Sequence, residues 1–208
     1  MRPVTWYFDF VSPFSYIGFE RLKELPREVE LELRPVLFAG LLGHWGQKGP
    51  AEIVPKRRYT YRWSTWWARS LGVPLRYPAG HPFNPLHHLR LAIAAGCTHE
   101  AVRRIFEQLL TTGADPAERQ VFASLCGALD VDPQSLGAAQ VKDTLRRNTE
   151  QAAALGVFGV PTFVVDGELF WGADSLEFLQ AYLADSSVLR NDEMRRLDAL
   201  PVSAQRKA

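Results

Sequence analysis

The chain has 208 residues, of which 47% are hydrophobic and 23% are charged, a composition that is typical of a globular protein and excludes wholesale disorder. The 24 Lys and Arg residues nearly balance the 23 Asp and Glu residues, so the net charge is +1 and the chain lacks the field of a general nucleic-acid-binding protein. Aromatic residues reach 12%, which predicts a large core or an apolar pocket.

The N-terminus and the two cysteines bear on the cellular compartment. Asp9 interrupts the first apolar run too early for a secretory signal, and no run of about 18 apolar residues follows, so we predict a cytoplasmic protein that spans no membrane. Cys97 and Cys126 form no C-x-x-C pair, which argues against a dithiol redox motif and against structural zinc. Two free thiols fit a reducing compartment, although a single disulfide between them stays open.

The N-terminal segment predicts a β-α-β unit. Residues 4–11 are β-branched and aromatic and lead into Ser12-Pro13, which indicates a buried strand that ends in a turn. Residues 15–25 place apolar side chains at helical spacing and stop at Pro26, and residues 31–36 alternate apolar and polar. Such a unit favours parallel strands joined by a right-handed crossover.

The middle of the chain predicts helices. Residues 37–85 give weak periodic signals, apart from a helical stretch over 52–71. Apolar stripes then predict helices around 86–93, 102–109 and 122–129. Asp132-Pro133 predicts the start of another helix, which runs toward Gly156. We therefore predict an all-helical insertion domain over residues 39–155.

The C-terminal segment returns to strands. Residues 162–165 and 168–171 flank Asp166-Gly167, the strongest short-range signal for a β-hairpin. Asp174 or Ser175 is predicted to cap a last helix, and residues 186–208 form a polar tail with a short helix around 194–200.

The order of these elements, β-α-β followed by β-β-α, is that of the thioredoxin fold. Val160-Pro161 stands directly before the third strand, where such folds commonly hold a cis proline, although Val-Pro also suits the start of an edge strand. The predicted fold class is therefore α/β, with a thioredoxin-like domain over residues 1–38 and 156–185 that the all-helical insertion domain interrupts.

Three segments carry a resemblance to a known family. Residues 8–16 read F-D-F-V-S-P-F-S-Y, residues 156–163 read G-V-F-G-V-P-T-F, and residues 170–176 read F-W-G-A-D-S-L. They resemble the 2-hydroxychromene-2-carboxylate isomerases, glutathione-dependent relatives of kappa-class glutathione transferases and of DsbA-type oxidoreductases. The resemblance reaches to about residue 183 and is less sharp in the helical block, where residues 55–59 and 71–74 carry it.

The resemblance implies that Ser12 occupies the place where a DsbA-type protein carries its nucleophilic cysteine. The N-terminus of a helix favours an anion, so a glutathione thiolate would be stabilised there and the Ser12 hydroxyl can donate a hydrogen bond to it. The simpler interpretation is that Ser12 only caps the helix before Pro13.

The resemblance also implies where glutathione binds. The backbone of Val160 would pair with the cysteinyl unit, and residues 173–175 would receive the γ-glutamyl group, with the Asp174 carboxylate facing its ammonium. Ala173 departs from the polar residue often found there, and Gln47 stands where relatives tend to have Asn. The residues assigned to glutathione are Ser12, Phe14, Gln47, Val160, Ala173, Asp174 and Ser175.

An acidic aromatic substrate needs an apolar slot with a cationic end. The interleaved basic and aromatic residues of 56–69 can supply it, although a solvated basic helix face explains them equally well. His87-His88 lacks further ligands at metal spacing, so no metal site is predicted. The substrate candidates are Trp45, Lys56, Arg58, Tyr59 and His81.

The function that the resemblance implies is the glutathione-dependent isomerisation of 2-hydroxychromene-2-carboxylate to trans-o-hydroxybenzylidenepyruvate, a step in bacterial naphthalene breakdown. Reversible thiolate addition would take place in the cleft between the two domains, and relatives suggest a homodimer. Three different functions stay open: a kappa-like glutathione transferase, a disulfide oxidoreductase, which Ser12 argues against, and a glutathione-binding module without activity.

Overall fold

A computed structural model describes residues 1–204 and contains a mixed four-stranded sheet. The spatial order of the strands is β2-β1-β3-β4, with β1 and β2 parallel and the other two neighbouring pairs antiparallel. This arrangement confirms the predicted thioredoxin-like α/β class. The strands are β1 (Arg2–Phe8), β2 (Val29–Pro35), β3 (Thr162–Val165) and β4 (Glu168–Trp171).

The helices lie mainly between β2 and β3, as the sequence predicted. Short 3-10 turns join several of them. In chain order they are α1 (Pro13–Arg21), α2 (Phe38–His44), α3 (Val54–Ser70), α4 (Leu86–Ala94), α5 (His99–Leu110), α6 (Arg119–Ala128), α7 (Ala139–Ala154), α8 (Leu176–Ala184) and α9 (Asp192–Asp198).

The helix predicted from residue 132 toward Gly156 is divided in two. The side chain of Asp132 accepts a hydrogen bond of 2.9 Å from the N–H of Gln134, but this caps only a 3-10 turn over Pro133–Gly137. The chain is extended at Ala138, with φ −60° and ψ 142°, and α7 begins one residue later. Gly156 follows the end of α7 with a positive φ of 89°, as expected of a helix stop.

The C-terminal hairpin is confirmed, whereas the predicted side-chain cap of the last helix is wrong. Asp166 and Gly167 both have positive φ, 52° and 85°, as a tight two-residue hairpin turn requires. Ser175 directly precedes α8, but its hydroxyl donates to the carbonyl of Gly172 at 2.8 Å and accepts no backbone N–H. The 3-10 turn over Ala173–Ser175 directs this side chain backward, away from the helix.

The two faces of the sheet pack against different helices. On one face, Trp6 and Phe8 stack with their ring centroids 4.6 Å apart. The ring centroid of Phe106 in α5 lies 4.7 Å from that of Phe10. The helical segment therefore shares a core with β1. Tyr7 points to the opposite face and packs there with side chains from the connection after β2, from α2 and α7, and from the segment before β3, namely Val36, Leu41, Ala152, Val157 and Val160.

Three further predictions concern the thiols, the membrane and the tail. Cys97 and Cys126 are both free thiols, so they form no disulfide, and Cys126 is buried as predicted. Among residues 1–204, no helix is both long enough and apolar enough to cross a bilayer. The tail contains α9, close to the predicted short helix, and the last residues of the predicted tail, 205–208, lie outside the described part of the chain.

Candidate active site

Ser12 lies at the junction of β1 and α1, where it caps the helix. Its Oγ accepts a hydrogen bond of 3.2 Å from the N–H of Ser15, and Pro13 occupies the first helical position. Ser12 is 8% exposed, and within the described residues its hydroxyl hydrogen has no acceptor. The hydroxyl can therefore cap the helix and still donate to an anion at the positive end of α1.

The Val160–Pro161 peptide bond is cis and lies beside this helix. Because Tyr7 pairs with Thr162, the residues before β3 lie at the end of the sheet that leads to Ser12. A Cβ on Gly18 of α1 would lie only 3.4 Å from Cγ of Pro161, so the helix packs directly on the proline. In the part of the chain that is described, the N–H and C=O of Val160 have no hydrogen-bond partner.

The loop between β4 and α8 completes this side of the site. The N–H of Gly172 donates to the carbonyl of Pro161 at 2.8 Å, and Gly172 has a φ of 97° that favours glycine. Ala173 is buried, and its Cβ would lie 3.5 Å from a Cβ on Gly18. Asp174 is exposed, and among residues 1–204 its carboxylate forms no hydrogen bond or ion pair, so it is open to a ligand cation.

Asp9 is a buried acid next to Ser12 that the sequence did not single out as a site residue. Its Oδ1 accepts from the N–H of Val11 at 3.0 Å, and its Oδ2 accepts from the N–H of Phe38 at 2.8 Å. Burial raises the pKa of Asp9 to about 7, while these two backbone donors act in the opposite direction. The available signal was an acid at the end of an otherwise apolar strand.

His81 contacts the same loop from the helical segment. Its Nε2 lies 2.7 Å from the carbonyl oxygen of Val11, and its Nδ1 lies 2.9 Å from the hydroxyl of Tyr61. Burial lowers the pKa of His81, with the hydrogen bond to Val11 opposing this effect. Both ring nitrogens therefore have protein partners, and a substrate carboxylate would have to displace one of them.

The other substrate candidates lie on α3 or close to it. Lys56, Arg58 and Tyr59 are exposed, and residues two apart on a helix point in different directions, so Lys56 and Arg58 do not converge on one carboxylate. Arg57, which the sequence did not single out, is partly buried one turn before Tyr61. Its charge acts to lower the pKa of Tyr61, although burial gives a net increase.

The remaining candidates connect the helical segment to the strands and to α1. The indole N–H of Trp45 donates to the carbonyl of Val157 at 2.9 Å, which links the end of α2 to the segment before Val160. The ring centroid of Phe14 lies 6.3 Å from that of Trp67 in α3. Gln47 is exposed in the turn after α2. The structure therefore brings Ser12, Val160 and residues 173–175 together around α1, with the α3 residues on a neighbouring surface.

These features define a class of protein. A β2-β1-β3-β4 sheet, a helical segment between β2 and β3, and a cis proline before β3 together are the DsbA-type variant of the thioredoxin fold. A family model described as a DSBA-like thioredoxin domain matches residues 3–184, and the chain belongs to this family.

Curated relatives confirm the resemblance that the motifs predicted. The chain is 30% identical over 193 residues to a 2-hydroxychromene-2-carboxylate isomerase of Sphingobium xenophagum, an alignment that covers 88% of this chain and 99% of that protein. It is 27% identical over 207 residues to glutathione S-transferase kappa 1 of Homo sapiens, covering 88% and 92% of the two chains.

Solved structures show the same fold. A structure of 2-hydroxychromene-2-carboxylate isomerase superposes with a TM-score of 0.75 at 24% identity, covering 96% of this chain and 100% of that chain. The cytosolic disulfide reductase DsbM from Pseudomonas aeruginosa, in a structure with GSH, superposes with a TM-score of 0.60 at 16% identity, covering 91% and 100%.

Proposed function

We propose that this protein is a glutathione-dependent isomerase that converts 2-hydroxychromene-2-carboxylate, or a similar unsaturated aromatic acid, to its trans-benzylidenepyruvate product. The observation that carries the proposal is a serine hydroxyl, free to donate, at the N-terminus of α1 in the motif where DsbA-type proteins carry a cysteine. The names of the curated relatives, isomerases and kappa-class transferases, support the same chemistry.

The residues around α1 fit glutathione. The unpaired backbone groups of Val160 suit an extended cysteinyl unit, as an added strand would. The free carboxylate of Asp174 suits the ammonium of the γ-glutamyl group, and the N–H groups at the start of α8 suit its carboxylate. The same binding mode directs the thiol toward Ser12.

Glutathione, when bound, would supply a thiolate that adds reversibly to the conjugated substrate, so that a double bond becomes a rotatable single bond until elimination restores it. Ser12 would donate its hydroxyl hydrogen to the sulfur and so favour the ionised thiol at neutral pH. The N-terminal end of α1 would add its partial positive charge. Arg57, partly buried beside Tyr61, is a cation that can orient the substrate carboxylate.

The experiment has two parts, binding and turnover. Calorimetry is expected to show that the protein binds glutathione. Its S-methyl derivative is expected to bind more weakly, because it has no ionisable thiol. Incubation with 2-hydroxychromene-2-carboxylate is expected to yield the trans product with glutathione recovered in full. Binding without conversion of this substrate or of related benzylidenepyruvates would contradict the proposal and leave a binding module.

A transferase and a disulfide oxidoreductase would each give a distinct result. A kappa-like transferase would consume glutathione in proportion to product, whereas an isomerase returns it. A disulfide oxidoreductase needs a thiol in the helix motif, but residues 12 and 15 are both serine, and burial raises the pKa of Cys97 to about 11.

The homodimer that relatives suggest stays a prediction, which sedimentation of the purified protein tests.

A further inference from the structure

The peptide groups of Val11, the residue before Ser12, are held from two sides. The N–H of Val11 donates to Oδ1 of Asp9 at 3.0 Å, and its carbonyl accepts from Nε2 of His81 at 2.7 Å. We propose that Asp9 and His81 are positioning residues that fix the backbone of Val11 and thereby the place of the Ser12 hydroxyl. This inference deepens the proposed function and rests on it.

Asp9 ties the loop to the thioredoxin-like part of the chain. Its side chain is fully buried, and its second carboxylate oxygen accepts from the N–H of Phe38, the first residue of α2. Its backbone carbonyl also accepts from the N–H of Ser12 at 3.1 Å. The segment from Asp9 to Ser12 is thus closed by short-range hydrogen bonds and anchored to the connection after β2.

His81 ties the same loop to the helical segment. Its Nδ1 lies 2.9 Å from the hydroxyl oxygen of Tyr61, and the backbone carbonyl of His81 lies 2.7 Å from the same oxygen. The one hydroxyl hydrogen of Tyr61 is therefore shared between these two acceptors of His81. The ring of Tyr61 lies 4.7 Å from that of Tyr77, whose hydroxyl is 2.7 Å from Oγ of the buried Ser64. Side chains of α3 therefore fix the position of the His81 ring.

The contact to Val11 also fixes the tautomer of His81. A carbonyl oxygen only accepts, so the hydrogen of the neutral ring is on Nε2. This bond polarises the peptide group that joins Val11 to Ser12. It also makes a continuous path from the candidate substrate surface on α3, through Tyr61 and His81, to Ser12. A displacement of about 1 Å at a reacting group can lower a rate about 100-fold.

The first test compares His81→Leu with His81→Gln in the full-length protein. His81→Leu removes the donor to Val11, and kcat is expected to fall about 10- to 100-fold while the KM for glutathione changes little, because Val160 and Asp174 are unaffected. The amide N–H of His81→Gln can replace Nε2 and is expected to restore most of kcat. His88→Leu is the matched control, because His88 is also buried in the helical segment but has no hydrogen bond to Val11 within the described residues.

The bound thiol gives a readout that general destabilisation would not move. The ultraviolet absorbance of bound thiolate as a function of pH is expected to show a higher thiol pKa in His81→Leu than in the wild type and in His88→Leu. Equal kcat and equal thiol pKa in His81→Leu and the wild type would overturn the inference. If His81→Leu does not fold, Tyr61→Phe is expected to show the same changes at smaller size.

A second measurement needs no glutathione. Nitrogen NMR of the imidazole is expected to show His81 as the neutral Nε2–H tautomer at neutral pH, and an Nδ1–H tautomer would overturn the inference. If the wild type binds no glutathione, the proposed function is wrong, and this spectrum still decides whether His81 holds Val11. If substrate is converted normally in the presence of glutathione but His81 is the Nδ1–H tautomer, only the positioning role of His81 is refuted.

Discussion

The guanidinium of Arg21 donates a hydrogen bond of 3.0 Å to the backbone carbonyl of Ala173. The contact joins the last turn of α1 to the loop before α8, two elements that lie 152 residues apart in the chain. Arg21 is buried and also forms ion pairs with Glu24 at 2.9 Å and Glu177 at 2.7 Å. The Arg21 side chain therefore holds residues 173–175, which are predicted to bind the γ-glutamyl group, against the helix that Ser12 caps.

We expect Arg21→Met to destabilise the protein and to loosen this loop. The variant leaves the carbonyl of Ala173 without its donor, whereas Glu24 and Glu177 remain in contact with water, so the free energy of unfolding is expected to fall by about 2 kcal/mol. Urea unfolding measures the change, and glutathione affinity is expected to weaken several-fold. Arg146→Met is the control, because Arg146 pairs with Glu150 on the exposed face of α7. Equal losses in the two variants would refute the special role of Arg21.

The raised pKa of Asp9 predicts a specific pH dependence of stability. The folded state binds the proton of Asp9 up to about pH 7, whereas the unfolded chain releases it near pH 3.8. The stabilising contribution of the protonated group is therefore complete at acidic pH and is lost as the pH rises from about 4 to about 7. The loss amounts to about 4 kcal/mol, given about 1.4 kcal/mol per unit of pKa.

Asp9→Asn tests this dependence, because the variant cannot ionise at this position. As the pH rises from about 4 to about 7, the free energy of unfolding of the wild type is expected to fall relative to that of the variant. Above about pH 7 the difference between the two proteins is expected to be constant. Denaturant unfolding at a series of pH values measures the difference, in which the contributions of other titrating groups cancel. Parallel curves from pH 4 to pH 7 would contradict the raised pKa of Asp9.

Ser12→Ala is expected to impair thiol ionisation and to weaken α1 slightly. Loss of the hydroxyl donor is expected to raise the pKa of bound glutathione by about one unit, equivalent to about 1.4 kcal/mol, and to lower the rate at neutral pH. Loss of the helix cap is expected to reduce the free energy of unfolding by about 1 kcal/mol.

Ser15→Ala is the matched control for Ser12→Ala. The Ser15 hydroxyl lies in the first turns of the same helix and is buried without a hydrogen-bond partner in the described structure. Its removal is expected to leave the stability unchanged or higher and to leave the thiol pKa unchanged. An unaltered pH–rate profile in Ser12→Ala would exclude the Ser12 hydroxyl from the mechanism.

Gly172→Ala is expected to displace Asp174 and to weaken glutathione binding. Gly172 has a φ of 97°, and a Cβ at this position would collide with Oδ1 of Asp174. Gly167→Ala is the control, since Gly167 has a similar φ of 85° but open space around it. Both variants are expected to lose about 1–3 kcal/mol of stability, and calorimetry is expected to show weaker glutathione binding only for Gly172→Ala.

Asp174→Ala is expected to weaken glutathione binding as much as Gly172→Ala does. Unchanged glutathione affinity in Asp174→Ala would exclude Asp174 as the γ-glutamyl ligand.

The parts of the site that could be predicted from the sequence have short-range causes. Ser12-Pro13 places a cap and a proline at the start of a helix, and Asp166-Gly167 specifies a tight turn whatever lies around it. The predicted helix from residue 132 was wrong in its first turn, because the extended backbone at Ala138 has no local signal in the sequence. α2 was missed because its seven residues are too few to show a period.

The sequence by itself determined the four strands and the helical block between the second and the third, the serine at the start of α1 and the family resemblance, because each of these depends on neighbouring residues or on short motifs. Only the tertiary structure decided that Asp9 is buried beneath the loop, that His81 contacts Val11 and Tyr61, and that Arg21 supports Ala173. These contacts join residues that are far apart in the chain, and burial and hydrogen bonding at such distances depend on how the elements pack and not on local spacing.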